Sequence, residues 1–384
     1  MKLKTSVILL AVSLLLAMAV QAMASPSEVI NNFALSAARQ ISRTESKYFF
    51  SPYSIVSAFG MAYAGASADT AAEMERALGF TQDLHEQLGT FIQDIASTGF
   101  VSSANHVWLD ESLTLNTDYQ SLLSRCYNNT AEALDIQNNP VAACRIINNW
   151  ANSRTNGKIP SLLSSLDPAS RMIITNAVYF NAQWLSPFSK LKTSPENFHD
   201  GEKVSKVPMM KKHTHFQYGE FDGVKAVEIP YSGRRMSMLV VLPPEDRPDA
   251  VDDLSAETLK RWLEGLERYE VDLWLPKFRT ENSYELSGMF KALGVRKAFT
   301  DDADFSGISG VEALKIDEVI HKTFIDIDEE KTEAAAATAV RMMRATAARP
   351  RPTPKAEFHA DRPFVYFIMD GQTGTILFMG RQTF

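Results

Sequence analysis

The sequence predicts an α+β domain, and three features predict it: amphipathic helical patterning early in the chain, short apolar or alternating strand-like runs from Met172 onward, and strands that continue to the C-terminus. With 384 residues, 45% of them hydrophobic and 22% charged, the chain can bury a large core without a metal or a disulfide framework. No internal repeat and no Gly/Ser linker marks a boundary, so a single domain is expected.

Residues 1–24 read as a signal peptide. Lys2 and Lys4 precede an apolar run from Val7 to Val20 and then Ala22-Met23-Ala24, which match an n-region, an h-region and a small-residue cleavage site. The run falls short of the ~20 residues of a spanning helix, so a secreted mature chain of residues 25–384, extracellular or periplasmic and free of the membrane, is expected. Asn31 to Ile41 reads as an amphipathic helix. Asp69 to Leu78 reads as another, with Asp69 or Thr70 near its start and Gly79 placed to end it. Cys144 to Trp150 continues the helical style, and Asn156-Gly157 marks a turn. Met172 to Phe180, Met236 to Leu242, Val271 to Leu275 and Val365 to Met369 read as strands, the last entering a hairpin through Asp370-Gly371 and Gly374 to Thr375–Met379.

Several function classes are excluded or left without support. A net charge of -7 with dispersed Lys and Arg gives no nucleic-acid surface. Cys126 and Cys144 are too few for a disulfide scaffold or a structural zinc, and whether they pair stays open. His213-Thr214-His215 lacks a third ligand, so no metal is assigned, and no cofactor is implied. Asn128-Asn129-Thr130 is a glycosylation acceptor only on a eukaryotic secretory route. There is no G-x-S-x-G elbow, and nothing ties a serine to His321 and an acid; no catalytic residues are assigned.

One segment is anomalous. Glu329 to Lys355 carries Ala at about a third of its positions, ends in Pro350, Pro352 and Pro354, and shows no core-forming pattern between two strand-like segments. Read as a strand, one phase holds Thr332, Ala334, Ala336, Thr338, Val340 and Met342, and the other holds both charges, Glu333 and Arg341. The alanine run equally suits a helix. Small residues from Thr332 to Ala339 would thread between existing strands with little steric resistance, and no proline occurs before Pro350.

With its surroundings, this segment resembles the serpin family. The hinge Glu329, Glu330, Lys331, Thr332, Glu333, Ala334, Ala335, Ala336, Ala337, Thr338 is similar to the inhibitory hinge of that family. Also similar are Phe50-Ser51-Pro52 with Ser54, Asn176-Ala177-Val178-Tyr179-Phe180 with Trp184, Pro208-Met209-Met210, Glu228-Ile229-Pro230-Tyr231, Pro276-Lys277-Phe278, Arg362-Pro363-Phe364 and Phe378-Met379-Gly380. The resemblance implies a large central mixed sheet, two smaller sheets, about nine helices and an exposed reactive-centre loop at about 329–357.

It further implies a metastable suicide inhibitor of serine or cysteine proteases, which traps the acyl-enzyme by inserting the cleaved loop into the sheet. Ser51, Ser54, Asn176 and His321 resemble the polar cluster where the sheet parts, and Trp184 with Lys322 is placed near the path of insertion. The family register sets the cleaved bond at Ala345-Thr346, for an elastase-like or subtilisin-like protease. A hinge one residue shorter sets it at Arg344-Ala345, for a trypsin-like one. The inhibitor is expected as a monomer. Lys331 stands where the family usually has Gly, and Lys47 where Asn is frequent. The alternative is a non-inhibitory serpin, a carrier or chaperone whose loop is only cleaved as a substrate.

Overall fold

The computed structural model describes residues 24–310, 314–332 and 353–384. Among these, the α-helices are α1 (Pro26–Ile41), α2 (Pro52–Tyr63), α3 (Ala68–Leu78), α4 (Leu84–Ser97), α5 (Thr117–Tyr127), α6 (Pro140–Arg154), α7 (Ala256–Gly265) and α8 (Ser287–Leu293). The strands begin with β1 (Tyr48–Phe50), β2 (Val101–Asp110), β3 (Ala131–Leu134), β4 (Met172–Phe180), β5 (Ala182–Gln183), β6 (Ser194–Asp200), β7 (Lys203–Phe221) and β8 (Val224–Pro230). They continue with β9 (Met236–Leu242), β10 (Glu267–Pro276), β11 (Phe278–Glu285), β12 (Glu318–Ile327), β13 (Lys331–Thr332), β14 (Lys355–His359), β15 (Phe364–Asp370) and β16 (Thr375–Gln382).

Local chemistry sets the helix ends. Helix α1 starts five residues before Asn31, because Ser25 and Glu28 form a capping box and Pro26 occupies the first turn, where its missing N–H is harmless. Helix α3 begins with Ser67 at its N-cap and Asp69 in its first turn, as expected, and Gly79 ends it at φ +73°. Strands β4 and β9 have the predicted bounds, and every residue in both is buried.

A five-stranded mixed sheet, β11-β12-β4-β2-β3, forms the centre. Its middle pair is parallel, Glu318 opposite Ile173 through Phe324 opposite Tyr179, and both outer neighbours of that pair are antiparallel to it. The two smaller sheets implied by the resemblance are continuous. Strand β7 runs for 19 residues and pairs with β6 and β10 and then with β8, so one nine-stranded network joins them.

Two cores flank the central sheet. One holds Val107, Ile174 and Val178 under α1–α5 and the hairpin β15–β16. The other holds Ala104, Trp108, Ile173, Ala177, Tyr179, Ile320 and Phe324 under α6, so α6 lies across β2, β4 and β12 together. Cys126 belongs to the first core and Cys144 to the second; both are buried free thiols, which resolves the open pairing.

The expected loop boundary at 357 needs correction. Residues 355–357 already lie in β14, parallel to Glu270–Asp272 of β10, and Pro354 accepts a hydrogen bond from the Glu270 N–H at 2.9 Å. Prolines cannot donate to a ladder but leave their carbonyls available, so the sheet captures the chain as soon as the proline run ends.

Candidate functional site: a gated seam in the central sheet

A candidate gate sits where α2 meets the β4–β12 pair. Ser51 caps α2, its Oγ accepting from the Ser54 N–H at 3.2 Å and donating to the Leu377 carbonyl at 2.7 Å. His321 is wholly buried, and its Nε2 accepts from the Ser51 N–H at 3.1 Å. Its Nδ1 therefore carries the proton and donates to Asn176 Oδ1 on the facing strand. Burial pushes the His321 imidazole down to about 3, which keeps it neutral, and the Ser51 N–H at Nε2 fixes the tautomer. Asn176 in turn donates to the Ser54 carbonyl at 3.0 Å, to Ser54 Oγ and to Asn105 Oδ1. The four sequence-predicted polar residues are thus one network, which spans the parallel pair and ties it to α2.

Asn105 and Ser103 on β2 belong to the same network, with Ser54 Oγ 3.0 Å from Asn105 Oδ1 and 2.7 Å from Ser103 Oγ. Sequence reasoning missed both, since a polar residue in a half-buried strand gives no distinguishing signal.

At the other end of the seam the strands diverge. Beyond Phe324 and Tyr179, β12 and β4 no longer pair, and the chain leaving β12 reverses so that β13 runs antiparallel to β5, Lys331 opposite Gln183 and Thr332 opposite Ala182. Three bonds hold the reversal. Trp184 Nε1 donates to the Asp328 carbonyl at 2.9 Å, the Phe188 N–H to the Glu329 carbonyl at 2.7 Å, and the Trp184 N–H to the Glu330 carbonyl at 3.3 Å. Trp184 stacks on Tyr231, centroids 4.6 Å apart and planes 9° apart.

The hinge carboxylates are anchored separately. Glu329 is 4% exposed, and its carboxylate accepts from Lys277 Nζ and from Thr193 Oγ1, each at 2.9 Å. Burial alone would raise this carboxyl; the bonds from Lys277, its own backbone and Thr193 outweigh that and hold it below the usual range. Glu330 pairs with Lys190 at 2.7 Å on the surface. Lys322 sits apart from Trp184, opposite Ala177 in mid-strand, bonded to the Ser161 carbonyl at 3.0 Å and to Glu281 at 3.1 Å. It thus lies along the β4–β12 pair, in mid-strand. Hinge residues Glu333, Ala334, Ala335, Ala336, Ala337 and Thr338 and both candidate bonds, Ala345-Thr346 and Arg344-Ala345, lie outside the described residues.

His213 Nδ1 meets Asp272 at 2.8 Å and its Nε2 meets Glu270 at 2.9 Å, and hydrogen bonds donated to these two carboxylates raise its pKa.

The family model described as Serpin (serine protease inhibitor) matches residues 28–383. The chain belongs to the serpin family. An uncharacterized serpin-like protein of Thermococcus kodakarensis is 40% identical over 92% of this serpin and 84% of that relative. Leukocyte elastase inhibitor of Equus caballus is 35% identical over 87% of this serpin and 92% of that relative. Among solved structures, maspin superposes with a TM-score of 0.83 at 26% identity, covering 92% of this serpin and 97% of maspin. Human thyroxine-binding globulin in complex with its hormone superposes at 0.82 and 28% identity, covering 93% and 97%. One relative is thus named an inhibitor of leukocyte elastase and one neighbour a thyroxine-binding protein, so the serpin fold alone does not choose between these roles.

Proposed function

We propose that this serpin is a secreted, irreversible inhibitor of serine proteases that traps the acyl-enzyme by taking its own loop into the central sheet. The observation that carries this reading is the register of β13. Lys331–Thr332 already run antiparallel to the extension of β4, at the mouth of a seam between two parallel strands. A segment that follows β12 and doubles back is antiparallel to both walls of that seam. It would replace one parallel pairing by two antiparallel ones, which are slightly more stable per residue.

Continuing the register gives further support. If 331 lies opposite 183 and 332 opposite 182, Ala334 comes opposite Phe180 and Met342 opposite Met172, so the nine residues of β4 are matched by 334–342. The uncharged phase, Ala334, Ala336, Thr338, Val340 and Met342, then falls on the face shared by Phe180, Val178, Ile174 and Met172, whose side chains lie in the first core. Thr338 comes opposite Asn176, so the strand enters through the gate, while Arg341 falls on the α6 face opposite Ile173.

The tether supplies the trigger. Loop residues run from β13 to β14, and β14 is held by five paired residues on β10. Attack of the protease serine on the Ala345 carbonyl forms the acyl-enzyme and expels the Thr346 amine, which frees the upstream segment from β14. Insertion then carries the acylated protease along the sheet, and distortion of its active site slows attack of water on the ester. The small Ala345 side chain suits elastase-like or subtilisin-like pockets; cleavage at Arg344 instead would suit a trypsin-like one.

The test is incubation of the mature protein with an elastase-like and a trypsin-like protease, followed by denaturing gels and mass spectrometry of the released C-terminal peptide. A complex that survives denaturant, with a peptide starting at Thr346, is expected, and Thr332→Arg should convert the inhibitor into a substrate. Loop cleavage that leaves both proteases active would favour the non-inhibitory role instead.

A further inference from the structure

The chain that leaves α6 turns back over the seam at a tightly built corner. Asn156 and Gly157 both sit at positive φ, +51° and +78°, a conformation that glycine adopts without strain. The Gly157 N–H donates to the Asn152 carbonyl at 2.8 Å, the Lys158 N–H to the Thr155 carbonyl at 3.0 Å, and the Ile159 N–H to Thr155 Oγ1 at 3.0 Å. Thr155 and Ile159 are wholly buried, so the corner is fixed against the second core and Lys158 is placed over the sheet.

The Lys158 ammonium meets two rings at once. Nζ lies 6.0 Å from the ring centre of Tyr179 on β4 and 5.7 Å from that of Phe324 on β12. These rings are themselves 5.9 Å apart, and their residues are the last opposed pair before the two strands diverge. A cation within about 6 Å of an aromatic face is attracted by the ring quadrupole, so one side chain engages both walls of the seam at its open end. Ser161, three residues on, accepts from Lys322 Nζ at 3.0 Å, which fastens the same segment to β12 a second time. Arg279 also covers Phe324, its guanidinium carbon 4.5 Å from the ring centre. It belongs to β11, however, which pairs with β12 on the side away from β4, so Arg279 does not span the seam.

We propose that Lys158 is a positioning residue that clasps the open end of the seam, and that its release regulates how fast a strand can enter. The proposal rests on the insertion reading above. Entry moves β12 away from β4 by one strand spacing, about 4.8 Å. The segment tied to β12 through Ser161 travels with it, so Lys158 keeps Phe324 and loses Tyr179. The closed sheet has a contact that the opening sheet lacks, and the difference falls on the rate of entry. Slow entry leaves the acyl-enzyme longer exposed to water, so the clasp weighs trapping against simple cleavage of the loop.

The test uses the uncleaved protein and a synthetic peptide of residues 332–344, whose annealing into the sheet is followed on native gels. Lys158→Met keeps an apolar stem without the charge, and annealing should be about threefold faster; Lys158→Gln should act alike should the first variant fold poorly. Lys158→Arg, which restores a cation, should anneal at the parent rate, and so should Arg279→Met, which strips a cation from the same ring on one side of the seam. Urea midpoints of the loop-cleaved forms should agree among parent and variants, because the clasp is already open there. Equal annealing by parent and Lys158→Met overturns the clasp. Acceleration by Arg279→Met to the same degree overturns it as well, since the loss of a cation rather than of a bridge would then be responsible. So does a matching loss of stability in the cleaved form, which would mark Lys158 as a general support of the fold. A parent protein that never takes up the peptide sinks insertion itself, and the clasp with it.

Discussion

Lys277 reaches Glu329 near the end of the seam, Nζ to Oε2 at 2.9 Å, while Thr193 Oγ1 donates to the other oxygen of the same carboxylate. Glu329→Gln should lower the thermal midpoint of the uncleaved protein, by about 2 kcal/mol in stability. That is below the range for fully buried pairs, because the Lys277 side chain is 40% exposed. Lys277→Met should have a similar effect, and the double variant should lose less than the sum. Additivity would show that the two residues act independently.

Acid should weaken the fold through its buried histidines. His321 is held at about 3, and His85 and His106 at about 4, each by burial, against an ordinary value of 6.5. Burial penalises their charged forms in the folded state, while the unfolded chain takes up protons below about pH 6.5. The stability they contribute is complete above pH 6.5 and falls as pH drops, by up to about 1.4 kcal/mol per pH unit for each group. Glu329, held below its usual value, adds to the loss below about pH 4.5. Urea midpoints measured from pH 7 to 5 should therefore decline, and His321→Gln, which can both accept from Ser51 and donate to Asn176, should reduce the slope by about a third. An unchanged slope would rule His321 out as a contributor.

Trp184→Phe keeps the stack on Tyr231 and removes the donor to the Asp328 carbonyl. Stability should fall by about 1 kcal/mol, and the intact protein should convert faster to a heat-stable form on incubation at moderate temperature. Equal conversion rates would show that the Asp328 bond does not hold the reversal.

Lys331 departs from the glycine usual in the family, yet its backbone is already a strand paired with Gln183, a conformation that requires no glycine. Lys331→Gly should not raise the number of protease molecules trapped per inhibitor. It should destabilise the intact form by roughly 0.5–1 kcal/mol through added freedom in the unfolded chain. A marked gain in trapping efficiency would mean that the lysine obstructs a later step.

The apolar strands were legible because they are continuous and bounded by breakers: Met172–Phe180 and Met236–Leu242 match their predicted ends. Strand β7 was not, since Lys211-Lys212-His213-Thr214-His215 is an unbroken polar stretch in which no residue is buried. The starts of α1 and α6 were read too late because each opens on a proline, Pro26 and Pro140, which favours the first turn but resembles a breaker in isolation. Within the site, Ser51, Ser54, Asn176 and His321 came from the family resemblance. Thr193, Ser103 and Asn105 did not come at all, because a hydrogen bond between residues as distant as Thr193 and Glu329, 136 positions apart, leaves no local trace.

The anchoring of β14 on β10 has a consequence for dosage. In the trapping mechanism proposed above, cutting one covalent bond leaves the upstream half no route back to β14, so each molecule acts once. Such an inhibitor has no recycling time and no meaningful equilibrium occupancy. Protection is then counted in molecules: a tissue or a cell is defended only for as long as synthesis outruns the supply of protease.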